Sequence, residues 1–339
     1  MNIRENALRI LRFDHPERVM SAPPFYTLHY HGCGHEGFDE GLLGDNNPAG
    51  TRWHDIWGTG WHKIQEGVMG LPEENPLARP QDLASFRWPD PNDERICGRI
   101  YREVQAFPRD GRFLTGGHRD TLWEQAYMSV GMEALMVYFF TEAEFVREVL
   151  HRIIDFQLGI AAHYVKLGVE FAMLGDDLGT QRGPLLSPRI MHEYLKPEYE
   201  RIFRFYKAHG VRVHFHSCGD VSAALPMFLE LGVDILNPVQ ATANDLGRLR
   251  AATHGRMALH GGVSSATVME GPVERIVAEV RQRMWQLGRD GGYFCAPDQG
   301  MPWPQAHIEA LERAVQEWGR YPLRAERDPG SCAGAQLPT

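Results

Sequence analysis

A chain of 339 residues, 43% of them hydrophobic, can hold one large domain or two average ones, and single α/β barrels reach this length. Its formal charge of -9 argues against nucleic acid and anionic membrane as partners, and no apolar run approaches the roughly 20 residues that span a bilayer. Five widely spaced cysteines form no disulfide framework, and Met1-Asn-Ile-Arg-Glu-Asn6 lacks the apolar core of a signal peptide, so a reducing cytoplasm is the expected setting.

Residues 4–12 read as an amphipathic helix with Ala7, Leu8 and Leu11 as its stripe, and Met20 to Leu28 as a first strand. The loop His29–His35 holds three histidines and Cys33. Their spacing matches no standard zinc module, so pocket wall or surface is the expected role, with His31 a candidate substrate contact. Trp53, Trp57 and Trp61 recur every four residues, but Gly58 and Gly60 argue for an irregular segment rather than a helix. Such aromatics either fill a core or line a pocket, and Trp57 is carried forward as a pocket candidate. Residues 72–92 read as loop. The whole insertion, about 30–110, is expected to cover or wall a site, because loops this long in compact proteins are usually functional.

Regular alternation begins at Arg112, with a strand to Gly117 and a helix after Asp120. Thr141-Glu-Ala-Glu144 has capping-box spacing and opens a helix with Phe145, Val149, Ile153 and Phe156 inward, ending before Gly168. Val169–Leu174 is a strand with Asp176 and Asp177 at its end. Ser187-Pro188 starts a helix expected to reach Lys207, kinked at Pro197. In Val211–Asp220, period 2 puts Val211, Val213 and Phe215 on one face and His214, His216 and Cys218 on the other. Helices then alternate with strands: 221–231, Asp234–Pro238, 244–254, Met257–His260, 271–287, Tyr293–Ala296, and Pro304 to about Trp318. This order specifies right-handed βαβ units and an α/β fold, a (β/α)8 TIM-like barrel spanning residues 1–323, with a flexible tail at 324–339. In a barrel, His216 and Cys218 stand last on their strand, at the end where such folds keep their chemistry, and together they can share one zinc ion.

Several of these strand ends carry recognisable motifs. Gly175-Asp-Asp177, Gln181, Gly183-Pro-Leu-Leu-Ser-Pro188, His216-Ser-Cys-Gly-Asp220, Leu231-Gly-Val-Asp-Ile-Leu-Asn-Pro238 and Gly291-Gly-Tyr293 with Ala296-Pro297 follow in order. They resemble the strand ends of the uroporphyrinogen decarboxylase superfamily, and Arg4–Arg9 with Pro16-Glu-Arg-Val19 resembles its opening helix and first strand. The resemblance implies one of two branches. The porphyrinogen decarboxylases use no metal and carry an arginine-rich N-terminal signature and a Phe-Asp-Ser-Trp motif, both absent here. The zinc methyltransferases that work with corrinoid proteins carry a His-x-Cys pair and a later cysteine, and His216-Ser-Cys218 fits the pair. The later position aligns near Gln299, whereas the cysteine of that strand is Cys295. The third ligand is thus implied to be Cys295, with Gln299, Asp298 or a distant carboxylate as alternatives.

On this resemblance the chain is expected to be a zinc-dependent methyltransferase. It would move a methyl group from a small O-, N- or S-methyl substrate to a corrinoid on a separate protein. Asp176 and Asp177 would orient substrate or supply a proton, with capping as their alternative role, and His260 would act as an acid or supporting partner. His31, Trp57, His214, Gln181, Asn237 and Gln299 are the implied substrate contacts. The competing expectation is a metal-free carboxy-lyase using Asp177, His214 and His216. A homodimer is compatible with either.

Overall fold

The structure is a computed structural model that describes residues 1–38 and 47–324. The expected flexible tail, from residue 325 onward and including Cys332, lies outside the described residues, as does part of the insertion at 39–46. Two compact bodies result, one of residues Pro24–Asn237 and one of Met1–Pro23 with the chain from Pro238 onward.

The larger body opens with β1 (Phe25–Leu28). Pro23 and Pro24 precede it, and since proline offers no N–H to a ladder, the strand begins five residues later than expected. The excursion that follows is more ordered than its sequence suggests. It holds an antiparallel sheet of β2 (Arg52–His54), β3 (Gly60–His62) and β4 (Leu71–Glu74), and a helix, Glu94–Glu103. The tryptophan spacing reflects a hairpin. Trp53 and Trp61 are cross-strand partners with rings 6.2 Å apart. Asp55 closes the turn by accepting from the amides of Trp57 and Thr59 and from the Trp61 indole.

The main sheet then continues through β5 (Phe113–Asp120) and β6 (Phe171–Gly175). The short pair β7 (Gly179–Thr180) and β8 (Gly183–Pro184) follows, and then β9 (Arg212–His216) and β10 (Ile235–Asn237). Within this body β1, β5, β6, β9 and β10 are parallel neighbours in that order. The helix Ala143–Lys166 buries Phe145, Val149, Ile153 and Phe156 as expected, but its capping box does not form: Thr141 donates to the Val137 carbonyl instead. Ser187 does cap the next helix, accepting from the Ile190 amide. There the anticipated kink is a π turn at Met191–Leu195. Pro197 brings no N–H to the ladder, and the hydrogen bonding slips by one residue just before it. On β9 the odd positions pack under helices. Phe215 is fully buried against Tyr199, Phe203 and Phe228, a burial that stabilises by about 2–3 kcal/mol.

In the smaller body β11 (Ala258–Val263) and β12 (Tyr293–Pro297) pair in parallel. Around them lie the helices Ile3–Arg12, Leu246–Thr253, Ser265–Glu270, Val273–Gly288 and Gln305–Trp318. No helix among the described residues is long and apolar enough to cross a membrane.

Candidate metal centre and cavity

His216 closes β9 between Gly175 of β6 and Asn237 of β10. Two backbone bonds fix it there, Asp176 N–H to the His216 carbonyl at 3.0 Å and Ser217 N–H to the Asn237 carbonyl at 2.7 Å. Beyond the strand, the loop from Gly219 lies directly on the loop at Gly179. A Cβ at Gly219, which sits at φ +77°, would come within 2.3 Å of the Gly179 backbone. Only glycine permits that approach. Asp177 stands two residues past Gly175, so strand pairing brings it beside Cys218, whose amide donates to Asp177 Oδ1 at 2.8 Å.

Three donor atoms converge as a result. His216 Nε2 lies 3.3 Å from Cys218 Sγ and 3.5 Å from Asp177 Oδ1. Candidate ligand atoms of all three residues lie within 4.8 Å of one another. A tetrahedral zinc held about 2.0–2.1 Å from nitrogen and about 2.3 Å from sulfur separates those two atoms by roughly 3.5 Å, so the donor set fits such an ion. His216 Nδ1 is 2.8 Å from Asn237 Oδ1. With the amide oxygen assigned to that contact, Nδ1 carries the proton and Nε2 presents its lone pair toward Cys218 and Asp177. His216 and Asp177 are 42% and 40% exposed, so the centre is reachable from solvent.

A cavity of about 580 Å³ adjoins the centre, and Asp177, His214, His216 and Asn237 form one part of its lining. Another part of the lining comes from the end of β5. A register shift between His118 and Asp120 breaks the alternation, so His118, Arg119 and Asp120 all reach the cavity. His118 is buried against Gln157, 2.6 Å away, and Tyr206; burial pushes its imidazole down to about 4 and keeps it neutral. Asp120 is 2.6 Å from His35 Nε2. Burial alone would raise its carboxyl, but the charge and hydrogen bond of His35, with Arg119, outweigh burial and hold it below the usual range. Glu124 goes the other way. Burial, then the neighbouring carboxyls of Asp120, Asp176 and Asp177, push it up to about 10, so it holds a proton at neutral pH. His35 is itself clamped. It stacks on Trp61 at 4.2 Å, its carbonyl accepts from the Trp53 indole, and it stands at a positive φ of 64°.

The insertion contributes Cys33, Gly34, Glu36, Met69 and Arg99 to the lining. Glu36 is anchored by the amides of Gly32 and Gly34 and by Arg99 at 2.8 Å.

Of the residues singled out from sequence, the structure brings Asp177, His214, His216, Cys218 and Asn237 into one neighbourhood. Asp176 is elsewhere. Fully buried, it accepts from the Leu122 and Glu124 amides at 3.0 and 2.8 Å and from the Tyr199 hydroxyl at 2.5 Å, which makes it a cap of the helix Trp123–Val130. It is absent from the cavity lining, and burial drives its carboxyl well above the usual range. Trp57 is core, 4.8 Å from Phe156, and His31 stacks on Phe38; neither lines the cavity. Gln181 is exposed in the turn between β7 and β8.

Three candidates fall in the smaller body. Cys295 is not among the converging donors. Alternation along β12 puts it on the side of Tyr293, facing Arg283 and Glu279 of the helix Val273–Gly288, and burial pushes its thiol up to about 12. His260 rests against Phe294, 6.1 Å between rings, and the Gln299 carbonyl accepts from Ser265. Sequence reasoning missed Asp120, Glu124 and His118, and noted His35 only as one histidine of a loop read as pocket wall or surface. The first two stand four residues apart across the junction of β5 and the next helix, a region read as strand end and helix start without attention to its acids.

No curated protein matches the chain. Among solved structures, a methyltransferase from Methanosarcina mazei aligns with a TM-score of 0.68 at 17% identity, covering 94% of this chain and 99% of that one. The two therefore share a fold, and that fold is a TIM barrel. A B12-independent methionine synthase from Shewanella sp. W3-18-1, in complex with selenomethionine, gives a weaker likeness: 10% identity, 65% of this chain and 63% of that one, TM-score 0.41. The family model described as Uroporphyrinogen decarboxylase (URO-D) matches residues 66–320, from β4 to the end of the last helix. The chain belongs to the uroporphyrinogen decarboxylase family.

Proposed function

We propose that the protein is a zinc-dependent methyltransferase that removes a methyl group from a small O-, N- or S-methyl substrate and passes it to a corrinoid protein. The observation that carries this reading is the convergence of Asp177, His216 and Cys218 donors beside a cavity of about 580 Å³. Family membership and the fold shared with a methyltransferase support it. Asp177, His216 and Cys218 would hold the ion, with Asp177 in the position the sequence suggested for Cys295. When bound, the ion supplies Lewis acidity that stabilises the leaving heteroatom as an anion.

The rest of the chemistry falls to the chain itself. Glu124 keeps a proton on its carboxyl at the cavity wall and can give it to the heteroatom that has lost its methyl group. Asp120 stays ionised beside it under the charge of His35, so the two carboxyls play different parts at one pH. His118, neutral and fixed by Gln157 and Tyr206, adds a wall without a competing charge. Met69, Met173 and Leu174 supply apolar lining that limits water around the methyl group.

The test is elemental analysis of protein purified without chelator, followed by methyl transfer from a panel of methoxy, methylamine and methylthio compounds to cob(I)alamin. Zinc at about one per chain, with transfer from at least one class, supports the reading. Full activity in metal-free protein, with carbon dioxide released from a carboxylated substrate, would move the assignment to the metal-free lyase.

A further inference from the structure

We infer that Asn237 is a positioning residue for the metal centre: it sets the tautomer and orientation of His216 and thereby the affinity for the ion. This rests on the metal reading above. Asn237 and His216 are register partners on β10 and β9, at the last rung before both strands end. Their side chains meet at 2.8 Å, Nδ1 to Oδ1. Nε2, on the far side of the ring, is the nitrogen nearest to Cys218 and Asp177.

Physical chemistry makes that contact decisive for a metal. An imidazole binds an ion only through a nitrogen free of its proton, so the proton must sit on Nδ1. The amide oxygen of Asn237 can only accept, and it therefore favours the tautomer that leaves Nε2 open. It also fixes the ring plane. Partners of this kind on the distal nitrogen are typically worth about 10–100-fold in metal affinity. The acceptor here is neutral. A carboxylate in its place would draw more strongly on the Nδ1 proton and make Nε2 a better donor.

The backbone bond that ties this rung, Ser217 N–H to the Asn237 carbonyl, does not involve the side chain. Asn237→Leu keeps the branched skeleton, slightly enlarged, and removes the acceptor, whereas Asn237→Asp keeps an acceptor in place.

The experiment titrates metal-free wild type, Asn237→Leu and Asn237→Asp with cobalt(II) against a chromophoric chelator, following the thiolate-to-cobalt absorption. Near-ultraviolet circular dichroism checks that each variant is folded. Wild type and Asn237→Asp should bind with comparable affinity, the Asp variant equal or tighter. Asn237→Leu should bind about 10–100-fold more weakly yet keep the thiolate band, because Cys218 is untouched. A Leu variant with wild-type affinity overturns the inference, as does an Asp variant that falls as far as the Leu variant. Wild-type protein that takes up no cobalt overturns the metal reading itself, and the inference with it. Should Asn237→Leu not fold, Asn237→Ser, too short to reach Nδ1, takes its place with the same expected loss.

Discussion

The end of β9 and the end of β5 both line one cavity, but they are assembled in opposite ways. At β9, the chemistry sits within three residues of chain, His216 to Cys218, and is half exposed. Strand periodicity delivers it, and neighbouring strand ends add Asp177 and Asn237 at adjacent rungs. At β5, the chemistry is buried and depends on distance in sequence. His35 reaches Asp120 across 85 residues, and Glu124 owes its proton first to burial and then to the neighbouring carboxyls at two strand ends. A site made by local alternation can hold an ion from solvent with little preparation. A site made by long-range burial can hold a proton against neutral pH, because only desolvation shifts a carboxyl that far.

The largest expected effect comes from breaking the β9 side. Cys218→Ser should leave the fold intact and reduce zinc from about one per chain to a small fraction of that, with methyl transfer falling more than about 100-fold. Cys97→Ser, on the helix Glu94–Glu103, should lose neither. Mass-spectrometric metal content after gel filtration decides. Retained zinc in Cys218→Ser would mean that the converging donors are not the centre.

Next in size is the contrast between two adjacent acids. Asp176→Ala removes an acceptor for two backbone amides and a buried tyrosine hydroxyl, and should cost about 2–4 kcal/mol in urea unfolding. Asp177→Asn should cost little stability but lower zinc affinity. If the two variants behave alike in both assays, the division between cap and ligand is mistaken.

How far the sequence could be read follows from the same contrast. His216-Ser-Cys218 was visible because period 2 is a property of neighbouring residues. The helix Ala143–Lys166 and the order of strands and helices were visible because apolar spacing and glycine stops are local too. Asp177, proposed above as the third donor, reads from sequence as a catalytic candidate rather than a ligand. It stands two residues past Gly175, the register partner of His216, so strand pairing brings it beside Cys218, and the close approach of Gly179 and Gly219 lets the two loops continue together; neither is recorded in local spacing. Cys295, the ligand suggested by motif, falls in the other body, on the side of β12 that neighbours Arg283 and Glu279. The tryptophans read as an irregular segment with core or pocket roles, and all three are core. Their four-residue spacing belongs to a hairpin that brings Trp53 opposite Trp61 and leaves Trp57 in the turn. Asp120 carries no local signature at all, and His35 stands out only as one histidine of the His29–His35 loop.

A smaller effect sharpens the β5 side. Glu124 binds its proton more tightly in the folded chain, with a value raised to about 10, than in the unfolded chain, where a glutamate titrates near about 4.3. The folded state thus holds more protons between those limits, and the stability this group contributes is full below the unfolded value and is lost as pH rises toward the folded one. Wild-type melting temperature should therefore decline from pH 5 to pH 9 more steeply than that of Glu124→Gln, which has no proton to lose. Differential scanning fluorimetry across that range measures it. Parallel curves for the two proteins would show that Glu124 is ionised at neutral pH, and the proton donor would have to be sought elsewhere.

The smallest expected effect tests where the insertion meets the cavity. Met69 lines the cavity, whereas Trp57 is buried between Phe156 and Trp88 and does not. Trp57→Phe trims an aromatic that is only 2% exposed, so it should cost about 1–2 kcal/mol of stability through lost packing. It should leave KM and zinc content where they were, because nothing between Trp57 and the cavity changes charge or hydrogen bonding. Met69→Ala should do the reverse. Its side chain is 37% exposed, so little stability is lost, but the apolar lining near the substrate shrinks and KM should rise a few-fold. Paired steady-state kinetics and urea unfolding of the two variants separate the roles. A Trp57→Phe variant with raised KM and unchanged stability would return that tryptophan to the pocket and place the hairpin turn, rather than the 69 position, at the substrate.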